Sequence, residues 1–570
     1  MGLQKTKRKK QLTLLRWIVL VLTGLIVLLL SGCAGQDFTS ALATLIPTSP
    51  PPAMPPPVVA TATSTIEPGS DPAGQEEAQR ELPPGRDDGL PRWEPADCRF
   101  SISLEETVEC GYVVVPEDRD LINSGEPAAT VRLHTAIVRS RSLTPASDPV
   151  IYLSGGPGQQ TLTFFNSIVP RFEGVLEERD FIIFDQRGVG HSEPSLYCQE
   201  VSDRVLNTTD QHLSREETIQ GHIEANLACR ERLLAEGINI AAYTSAENAA
   251  DVNDLRLALG YGQINLYGVS YGTRLALTVM RDFGAEGGIR SVVLDSVFPP
   301  QVDFYAELAV DAERIFKLLF ERCAADPACQ AAYPDLETVF YDLVRQWEAE
   351  PVLVEVPSPG REEPYQKLLN GDGLIDLMFN MLYDTNVIPV LPQLIFQLAQ
   401  EDYDSPTLQA WLRWLIISDQ FRSLGMWYSV MCGEEAIFST EAGVRERSAE
   451  SQLALRTYFV DVVVLSDFMV CDGWEAKNAG PIETAPIASE IPSLILAGEF
   501  DPITPPAWSQ LAAETLSPAY YFEFPGVAHG VLLARQCARD ITAVFIERPT
   551  LEPEATCMAE LPPLDFITTE

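Results

Sequence analysis

Short runs of apolar residues bounded by turn-forming residues recur along the chain. After two early strand-like segments at Tyr112–Val115 and Ala129–Val138, such runs lie at Val150–Leu153, Phe181–Phe184, Ile264–Tyr267, Ser291–Leu294, Ser493–Ala497 and Tyr520–Phe524. Nearly continuous apolar runs of this length are typical of strands that are buried on both faces of a largely parallel sheet. The pattern therefore predicts a central sheet with both faces covered.

Helical patterns separate these strands, for example at Ala249–Leu259, Gly272–Phe283, Trp508–Leu516 and Val531–Ile546. Alternating strands and helices predict an α/β fold with a mostly parallel central sheet. The alternation breaks between residues 301 and 482, where amphipathic helical stretches replace strand signals. We expect a mostly helical cap, inserted before the last strands.

The first 33 residues have the pattern of a bacterial export signal. Basic residues precede the apolar run Trp17–Leu30, whose 14 residues suit a signal peptide, whereas a membrane span needs about 20. Leu30-Ser31-Gly32-Cys33 resembles the lipobox, in which cleavage precedes a cysteine that becomes lipidated. The alternative is an uncleaved anchor helix. Both place the protein outside the cytoplasm, and the first anchors it to the cell membrane as a lipoprotein, through its lipid alone.

A proline-rich segment follows the proposed lipidation site. Twelve prolines between Pro47 and Pro91 favour an extended, semi-rigid tether that cannot bury a core. The expected organisation is a signal peptide (1–32), a tether (33–92), the first part of the α/β core (93–300), the cap (301–482), and the second part of the core with a C-terminal tail (483–570).

The charge balance is strongly acidic. Asp and Glu number 81 against 40 Lys and Arg, for a net charge of −41. Nucleic acid is therefore not an expected partner, because binding phosphates requires basic side chains. The sequence gives no indication of the oligomeric state.

Eleven cysteines leave an even number once Cys33 is set aside, which in an exported chain suggests disulfides. The sequence does not fix their connectivity. Near-neighbour pairing would give Cys98–Cys110, Cys198–Cys229, Cys323–Cys329, Cys432–Cys471 and Cys537–Cys557. No C-x-x-C pair or histidine cluster accompanies them, so no metal site is expected.

Gly268-Val269-Ser270-Tyr271-Gly272 is a G-x-S-x-G motif between a predicted strand and a predicted helix. A nucleophilic serine on this turn projects above the sheet, and the flanking glycines avoid collisions with neighbouring backbone. A Gly-rich structural turn is the alternative, but the strand–turn–helix context favours Ser270 as a nucleophile.

Ser270 needs a base and an orienting acid. Among the five histidines, His529 follows the last predicted strand and precedes the last predicted helix, where this architecture places its site; His191, in a loop, is the lesser alternative. Asp501 follows the preceding strand, with Glu499 as the competing carboxylate and Thr504 as a possible support. The order Ser270, Asp501, His529 is that of α/β-hydrolases.

A glycine-rich turn, Ser154-Gly155-Gly156-Pro157-Gly158, follows another predicted strand. Backbone can approach a substrate carbonyl closely there, so we expect an oxyanion hole made by the N–H groups of Gly156 and Tyr271. A plain tight turn is the alternative.

Together with Asp185-Gln186-Arg187-Gly188-Val189-Gly190-His191-Ser192, these motifs resemble the prolyl-aminopeptidase family of α/β-hydrolases, and within it the exported tripeptidyl-aminopeptidase-like branch. The resemblance covers about residues 95–560. It implies an α/β-hydrolase fold, a serine aminopeptidase or related hydrolase with a helical cap, and the five near-neighbour disulfides. Many relatives have His or Pro where Ser154 stands, which weakens any inference about substrate preference.

An aminopeptidase must bind a free ammonium, for which buried carboxylates are natural partners. Glu434 and Glu435 in the cap are the expected pair, and Asp295 is a weaker candidate. The leading hypothesis is an enzyme that cleaves short peptides from free N-termini without a metal or organic cofactor. The alternatives are an esterase or small-molecule amide hydrolase using the same triad, and a non-catalytic peptide-binding lipoprotein.

Overall fold

The computed structural model describes residues 89–124 and 129–568. The predicted signal peptide, Cys33 and nearly all of the predicted tether lie outside the described residues. The described residues outside positions 359–362 belong to one compact unit.

The core is a nine-stranded, mostly parallel sheet, with strand order β1-β2-β3-β5-β4-β6-β7-β10-β11. The first three strands run antiparallel to their neighbours, and the strands from β5 to β11 in that order are parallel. The strands of the chain are β1 Arg92–Pro95, β2 Val108–Pro116, β3 Thr130–Val138, β4 Ala146–Leu153, β5 Arg179–Phe184, β6 Ile264–Ser270, β7 Ile289–Val297, β8 Val352–Val356, β9 Tyr365–Leu369, β10 Ser493–Gly498 and β11 Ala519–Phe524.

Both faces of this sheet are covered, as the continuous apolar runs predicted. All six residues of β5 and all six of β10 are buried, and separate hydrophobic clusters lie on the two sides. The predicted strands are present. The short edge strand β1 was not predicted, and it begins at the last residue of the expected tether.

Helices flank the sheet and build the cap. They are α1 Arg119–Ser124, α2 Phe165–Ile168, α3 Glu173–Leu176, α4 Gln199–Thr208, α5 Arg215–Ala235, α6 Ser245–Ala258, α7 Tyr271–Phe283, α8 Phe304–Ala325, α9 Pro327–Ala332, α10 Leu336–Ala349, α11 Gly371–Met381, α12 Leu391–Ala399, α13 Pro406–Ile417, α14 Leu424–Glu434, α15 Glu441–Arg447, α16 Leu453–Arg456, α17 Leu465–Trp474, α18 Pro506–Ala513, α19 Val531–Ala534 and α20 Gln536–Glu547. Short 3₁₀ turns and a π-helix, Thr457–Val464, complete the list.

Two differences from the sequence-based expectation have local causes. The helix predicted over Val531–Ile546 is broken at Arg535, whose backbone is extended (φ −126°, ψ 129°), so that α19 and α20 are separate. The region between β7 and β10 is mostly helical, as expected, but it also contains the antiparallel hairpin β8–β9. Only alternate residues of β8 are buried, a weak signal beside the helices around it.

All five near-neighbour disulfides are formed. Cys432–Cys471 joins α14 to α17 within the cap region, and Cys537–Cys557 joins α20 to the C-terminal tail. Among residues 89–124 and 129–568, no helix is long and apolar enough to cross a membrane.

Candidate active site

Ser270 stands on a strained turn between β6 and α7. Its backbone angles are φ 57° and ψ −130°, a conformation that is costly for a residue with a Cβ and is typical of functional sites. The neighbouring backbone leaves no room for side chains, because a Cβ on Gly272 would lie 2.0 Å from the Leu153 carbonyl oxygen and one on Gly268 would lie 2.3 Å from the Gly272 carbonyl oxygen. The motif therefore forms the nucleophile turn that its sequence predicted.

His529 and Asp501 are brought together by the loops after β11 and β10. His529 Nδ1 lies 2.8 Å from Asp501 Oδ2, and Asp501 is fully buried. The other carboxylate oxygen, Oδ1, accepts hydrogen bonds from the backbone N–H groups of Ile503 (3.1 Å) and Thr504 (2.9 Å). Asp501 thus holds the Nδ1–H tautomer of His529, which leaves Nε2 as the basic nitrogen.

The Thr504 hydroxyl lies between the acid and the base. It donates to Asp501 Oδ2 at 2.9 Å and stands 3.3 Å from His529 Nδ1. Thr504 is buried, so this hydroxyl helps to fix the carboxylate where water does not compete. The support expected of Thr504 is present in the structure.

The electrostatics of the pair favour the charge-separated form. Burial alone would lower the pKa of His529, but the charge and hydrogen bond of Asp501 outweigh it and raise that pKa above its ordinary value. Burial would raise the pKa of Asp501, but the His529 charge and the hydrogen bonds to the carboxylate hold it below its usual range. Asp501 therefore stays ionised and stabilises an imidazolium.

Ser270 and His529 lie at the same edge of the sheet. Gly530, directly after His529, is packed near Val269, directly before Ser270, with a Cβ on Gly530 placed 3.9 Å from Val269 Cγ2. Within the described part of the chain, no hydrogen bond joins Ser270 Oγ to His529. In unliganded enzymes this bond is often long, and it shortens when substrate binds.

The glycine-rich turn after β4 approaches the nucleophile. A Cβ on Gly155 would lie 2.9 Å from Ser270 Cβ, and Gly156 has φ 111°, which favours glycine. Gly156 is partly exposed, whereas Gly155 is buried. Gly156 and Tyr271, the first residue of α7, stay the predicted oxyanion donors.

The cap touches this same turn. The backbones of Gln159 and Arg422 form an antiparallel bridge, and the Ser423 N–H donates to the Gly158 carbonyl at 2.8 Å. A Cβ on Gly158 would lie 2.4 Å from the Ser423 carbonyl oxygen. The segment entering α14 is therefore fixed against the predicted oxyanion loop.

The competing site residues have other contacts. Glu499 pairs with Arg322 of α8 and accepts the Gly526 N–H at 2.8 Å. The His191 ring lies 5.8 Å from the His134 ring, and its backbone N–H donates to Asp185 at 2.8 Å. Asp295 is buried and accepts backbone N–H groups of α19.

Glu434 and Glu435 are buried beside α7. Glu434 accepts the N–H and hydroxyl of Ser245, both at 2.6 Å, and Glu435 forms a 2.6 Å ion pair with buried Arg274. Burial raises the pKa of both carboxyls, and the Arg274 charge opposes that rise. As placed, Glu435 already has Arg274 as a partner and Glu434 has Ser245, and ammonium binding stays a prediction.

Sequence reasoning missed two cap residues near the triad. Arg314 of α8 donates to the carbonyl oxygens of Glu499 (3.3 Å) and Asp501, so it ties the acid loop to the cap. The Tyr383 ring, just after α11, lies 5.2 Å from the His529 ring. Neither carries a sequence signal, since both are far along the chain from any motif.

The described residues contain no group of three or more His, Cys, Asp or Glu side chains that could hold a metal ion. The arrangement present suits nucleophilic catalysis: a partly exposed serine, a base oriented by a buried acid, and a glycine-rich turn beside the serine.

Comparison with known proteins agrees with this geometry. Residues 148–535 match the α/β hydrolase fold family, and the chain belongs to that family. Ser270, Asp501 and His529 all lie within the matched residues.

Three curated proteins are similar over part of their length. Serine protease Hip1 of Mycobacterium tuberculosis is 28% identical over 255 residues, covering 42% of this chain and 46% of that protein. Tripeptidyl aminopeptidase of Streptomyces lividans is 29% identical over 226 residues, covering 37% and 39%. Carboxylesterase B of M. tuberculosis is 30% identical over 284 residues, covering 48% and 50%. The matched segment thus spans half or less of each relative.

Proposed function

We propose that the protein is a serine aminopeptidase that cleaves short peptides from free N-termini. The observation that carries the hydrolytic chemistry is the 2.8 Å contact of His529 with buried Asp501, beside a nucleophile turn and beneath a cap. The peptidase part is supported by relatives that are a serine protease and a tripeptidyl aminopeptidase, and by the motif set.

The reaction follows from these positions. His529 Nε2 removes the Ser270 hydroxyl proton as Oγ attacks the peptide carbonyl, and Asp501 stabilises the imidazolium. The N–H groups of Gly156 and Tyr271 stabilise the oxyanion, each such donor being typically worth about 3 kcal/mol. His529 then protonates the leaving amine. In the second half of the reaction His529 removes a proton from the water that attacks the acyl-enzyme, and it returns that proton to Ser270 Oγ as the ester bond breaks.

The substrate's ammonium needs a carboxylate partner, and the cap offers more than one. Glu434 and Glu435 would have to give up Ser245 and Arg274. Asp376 on α11 is a further carboxylate, and its two oxygens differ in their hydrogen bonds. Its Oδ1 accepts the Tyr458 hydroxyl (2.8 Å) and the Asn380 amide (3.0 Å), and no hydrogen bond to Oδ2 is present within the described residues.

Asp376 also lies near the triad in the fold. Burial, and then the charges of Asp501 and Asp376, raise the pKa of Tyr383 just after α11, and the Tyr383 ring lies 5.2 Å from the His529 ring. Burial raises the pKa of Asp376, while the Tyr458 hydroxyl and the Lys367 charge favour its ionised form. Lys367 is therefore the cation with which a substrate ammonium would compete. We therefore include Asp376→Asn beside Glu434→Gln and Glu435→Gln in the test.

The decisive assay uses the purified full-length chain and fluorogenic di- and tripeptide amides, each with a free and an acetylated N-terminus. We expect cleavage of the free-amine peptides, abolition by acetylation, and a loss of kcat of at least ~10⁴ in Ser270→Ala. The ammonium-binding acid is the one whose amide variant raises KM for free-amine peptides and leaves the rate of Ser270 labelling by a fluorophosphonate unchanged.

A second candidate function is ester hydrolysis with the same triad, which the similarity to a carboxylesterase favours. A p-nitrophenyl ester assayed in parallel separates the two. If only the ester turns over, or acetylation makes no difference, the aminopeptidase assignment is wrong. If neither peptides nor ester are cleaved and a fluorophosphonate fails to label Ser270, a non-catalytic peptide-binding role replaces both activities.

We further propose that the protein is exported and held at the membrane by a lipid on Cys33. The basic and apolar N-terminal segments and the lipobox-like sequence support this, as do five disulfides, which persist in oxidising compartments. Labelling with a palmitate analogue tests it against Cys33→Ala. Lipidation would be contradicted by label that persists in Cys33→Ala. It would also be contradicted if mass spectrometry of the wild-type protein finds Met1 still attached.

A further inference from the structure

The loop that carries His529 is hydrogen-bonded to side chains at the end of strand β7. Asp295 is paired in register with Val269 of β6 on one side and Leu496 of β10 on the other. It therefore lies between the strand that presents the nucleophile and the strand that leads to Asp501. No step of the reaction described above uses it.

Its carboxylate captures the backbone just after the base. Asp295 Oδ1 accepts the Val531 N–H at 2.8 Å, and Oδ2 accepts the Leu532 N–H at 2.9 Å. Ser296 Oγ accepts the Gly530 N–H at 2.9 Å. Three consecutive amides after His529 are thus bonded to two adjacent side chains of one strand.

Both side chains are held firmly. Asp295 and Ser296 are fully buried, and the Tyr267 hydroxyl donates to Asp295 Oδ2 at 2.6 Å. Ser296 has φ 60°, an unfavourable conformation for serine that directs its hydroxyl within reach of Gly530. Strain of this kind is retained where the surrounding structure fixes it.

We propose that Asp295 is a positioning residue for the catalytic base: with Ser296, it fixes residues 530–532 and so sets where His529 stands relative to Ser270. It also supplies a second carboxylate near the imidazole, besides Asp501. Two anchors then act on the base, with Asp501 on the ring and Asp295 on the backbone that follows.

The second carboxylate affects the titration of the base. The ionisable groups that face Asp295 are Tyr267 of β6, Tyr152 of β4 and His529 itself. The tyrosines are neutral at ordinary pH, because burial and the Asp295 charge raise the pKa of each. Burial raises the pKa of Asp295, while the Tyr267 hydroxyl, the N–H groups of Leu532 and Val531 and the His529 charge favour its ionised form. In that form its charge adds to that of Asp501 in raising the pKa of His529, so removing it lowers that pKa.

The test is Asp295→Asn in the full-length chain. An amide has one accepting oxygen, so one of the two N–H groups loses its partner. We expect kcat to fall about 10- to 100-fold, the scale of a base displaced by about 1 Å, with KM changed less than twofold. The acid limb of the rate profile should move to lower pH. The second-order rate of Ser270 labelling by a fluorophosphonate, followed against pH, gives the same readouts without a peptide substrate.

Two further variants keep the proposal testable if Asp295→Asn does not fold. Ser296→Gly suits the positive φ and removes the hydroxymethyl group that holds the Gly530 N–H, and we expect a several-fold loss of labelling rate. Tyr267→Phe keeps the ring and removes one donor to Asp295 Oδ2, and we again expect a several-fold loss of labelling rate.

The outcomes are distinct. The proposal is overturned if Asp295→Asn has the wild-type rate and pH profile. It is also overturned if Asp295→Asn lowers the thermal midpoint without moving the acid limb and Ser296→Gly is labelled at the wild-type rate. Because labelling needs only the triad, failure of the aminopeptidase assignment leaves this test intact.

Discussion

Replacing Thr504 by Val removes the hydroxyl that donates to Asp501 and changes little else. Val has nearly the shape of Thr, and the site is buried. The substitution deletes the 2.9 Å hydrogen bond to Asp501 Oδ2, while the backbone bonds of Ile503 and Thr504 to Oδ1 stay in place. His529 becomes the sole remaining donor to Oδ2 among the described residues.

The size and sign of the effect follow from that bond. A hydrogen bond to a charged group contributes about 1.5–3 kcal/mol, so its loss should lower kcat/KM by about 10- to 100-fold. Asp501 with one donor fewer is more basic and holds the Nδ1 proton more tightly. The pKa of His529, already above its ordinary value, should rise further, and the acid limb of the pH profile should move to higher pH.

The assay is kcat/KM between pH 5 and 9 for wild type, Thr504→Val and Thr504→Ser. The serine variant keeps the hydroxyl and serves as the matched control, with a near wild-type profile. If Thr504→Val loses activity while its acid limb stays put or moves to lower pH, the hydroxyl does not act through Asp501. Equal loss in Thr504→Ser would point to packing by the methyl group.

Three further outcomes are expected. Gly272→Ala places a Cβ 2.0 Å from the Leu153 carbonyl oxygen and should destabilise the fold by about 3 kcal/mol, whereas Gly262→Ala, with nothing within 4 Å, should be neutral in thermal unfolding. Burial raises the pKa of Asp311 to about 7, so the folded state binds the extra proton and wild type loses stability as pH rises from 5 to 8. Asp311→Asn should escape this loss, gaining about 3 kcal/mol over wild type across that interval in urea titrations; a pH-independent difference would contradict it. Removing Cys432–Cys471, with a separation of 39 residues, should cost about 4 kcal/mol, against about 2 kcal/mol for Cys323–Cys329, with a separation of 6; a reversed order would count against loop entropy.

Much of the catalytic constellation could be predicted because its residues lie next to strands. Ser270, Asp501 and His529 each follow a short apolar run that forms a strand, and the carboxyl ends of parallel strands meet at one edge of a sheet. Knowing the strands was therefore enough to bring together residues up to 259 positions apart, from Ser270 to His529. The glycines were informative for a similar reason, since close backbone approach excludes any other residue.

The partners of the buried acids in the cap could not be predicted from the sequence. Glu434 and Glu435 have a suitable residue type and a suggestive position, but the sequence does not show that Arg274, on the helix after the nucleophile, pairs with Glu435. Whether a buried carboxylate is neutralised depends on contacts between elements with no fixed sequence spacing. The hairpin β8–β9 was missed for a related reason, because its strands are short and half-exposed.

The sequence by itself determined the fold class, the order of the triad and the turn that presents the nucleophile, because periodicity and glycine placement are local properties of the chain. Only the tertiary structure decided how the loops of the triad are anchored: Arg314 holds the acid loop, and Asp295 with Ser296 hold the residues after His529. These bonds join side chains to backbone groups far along the chain, and their strength comes from burial, which exists only once the elements have packed.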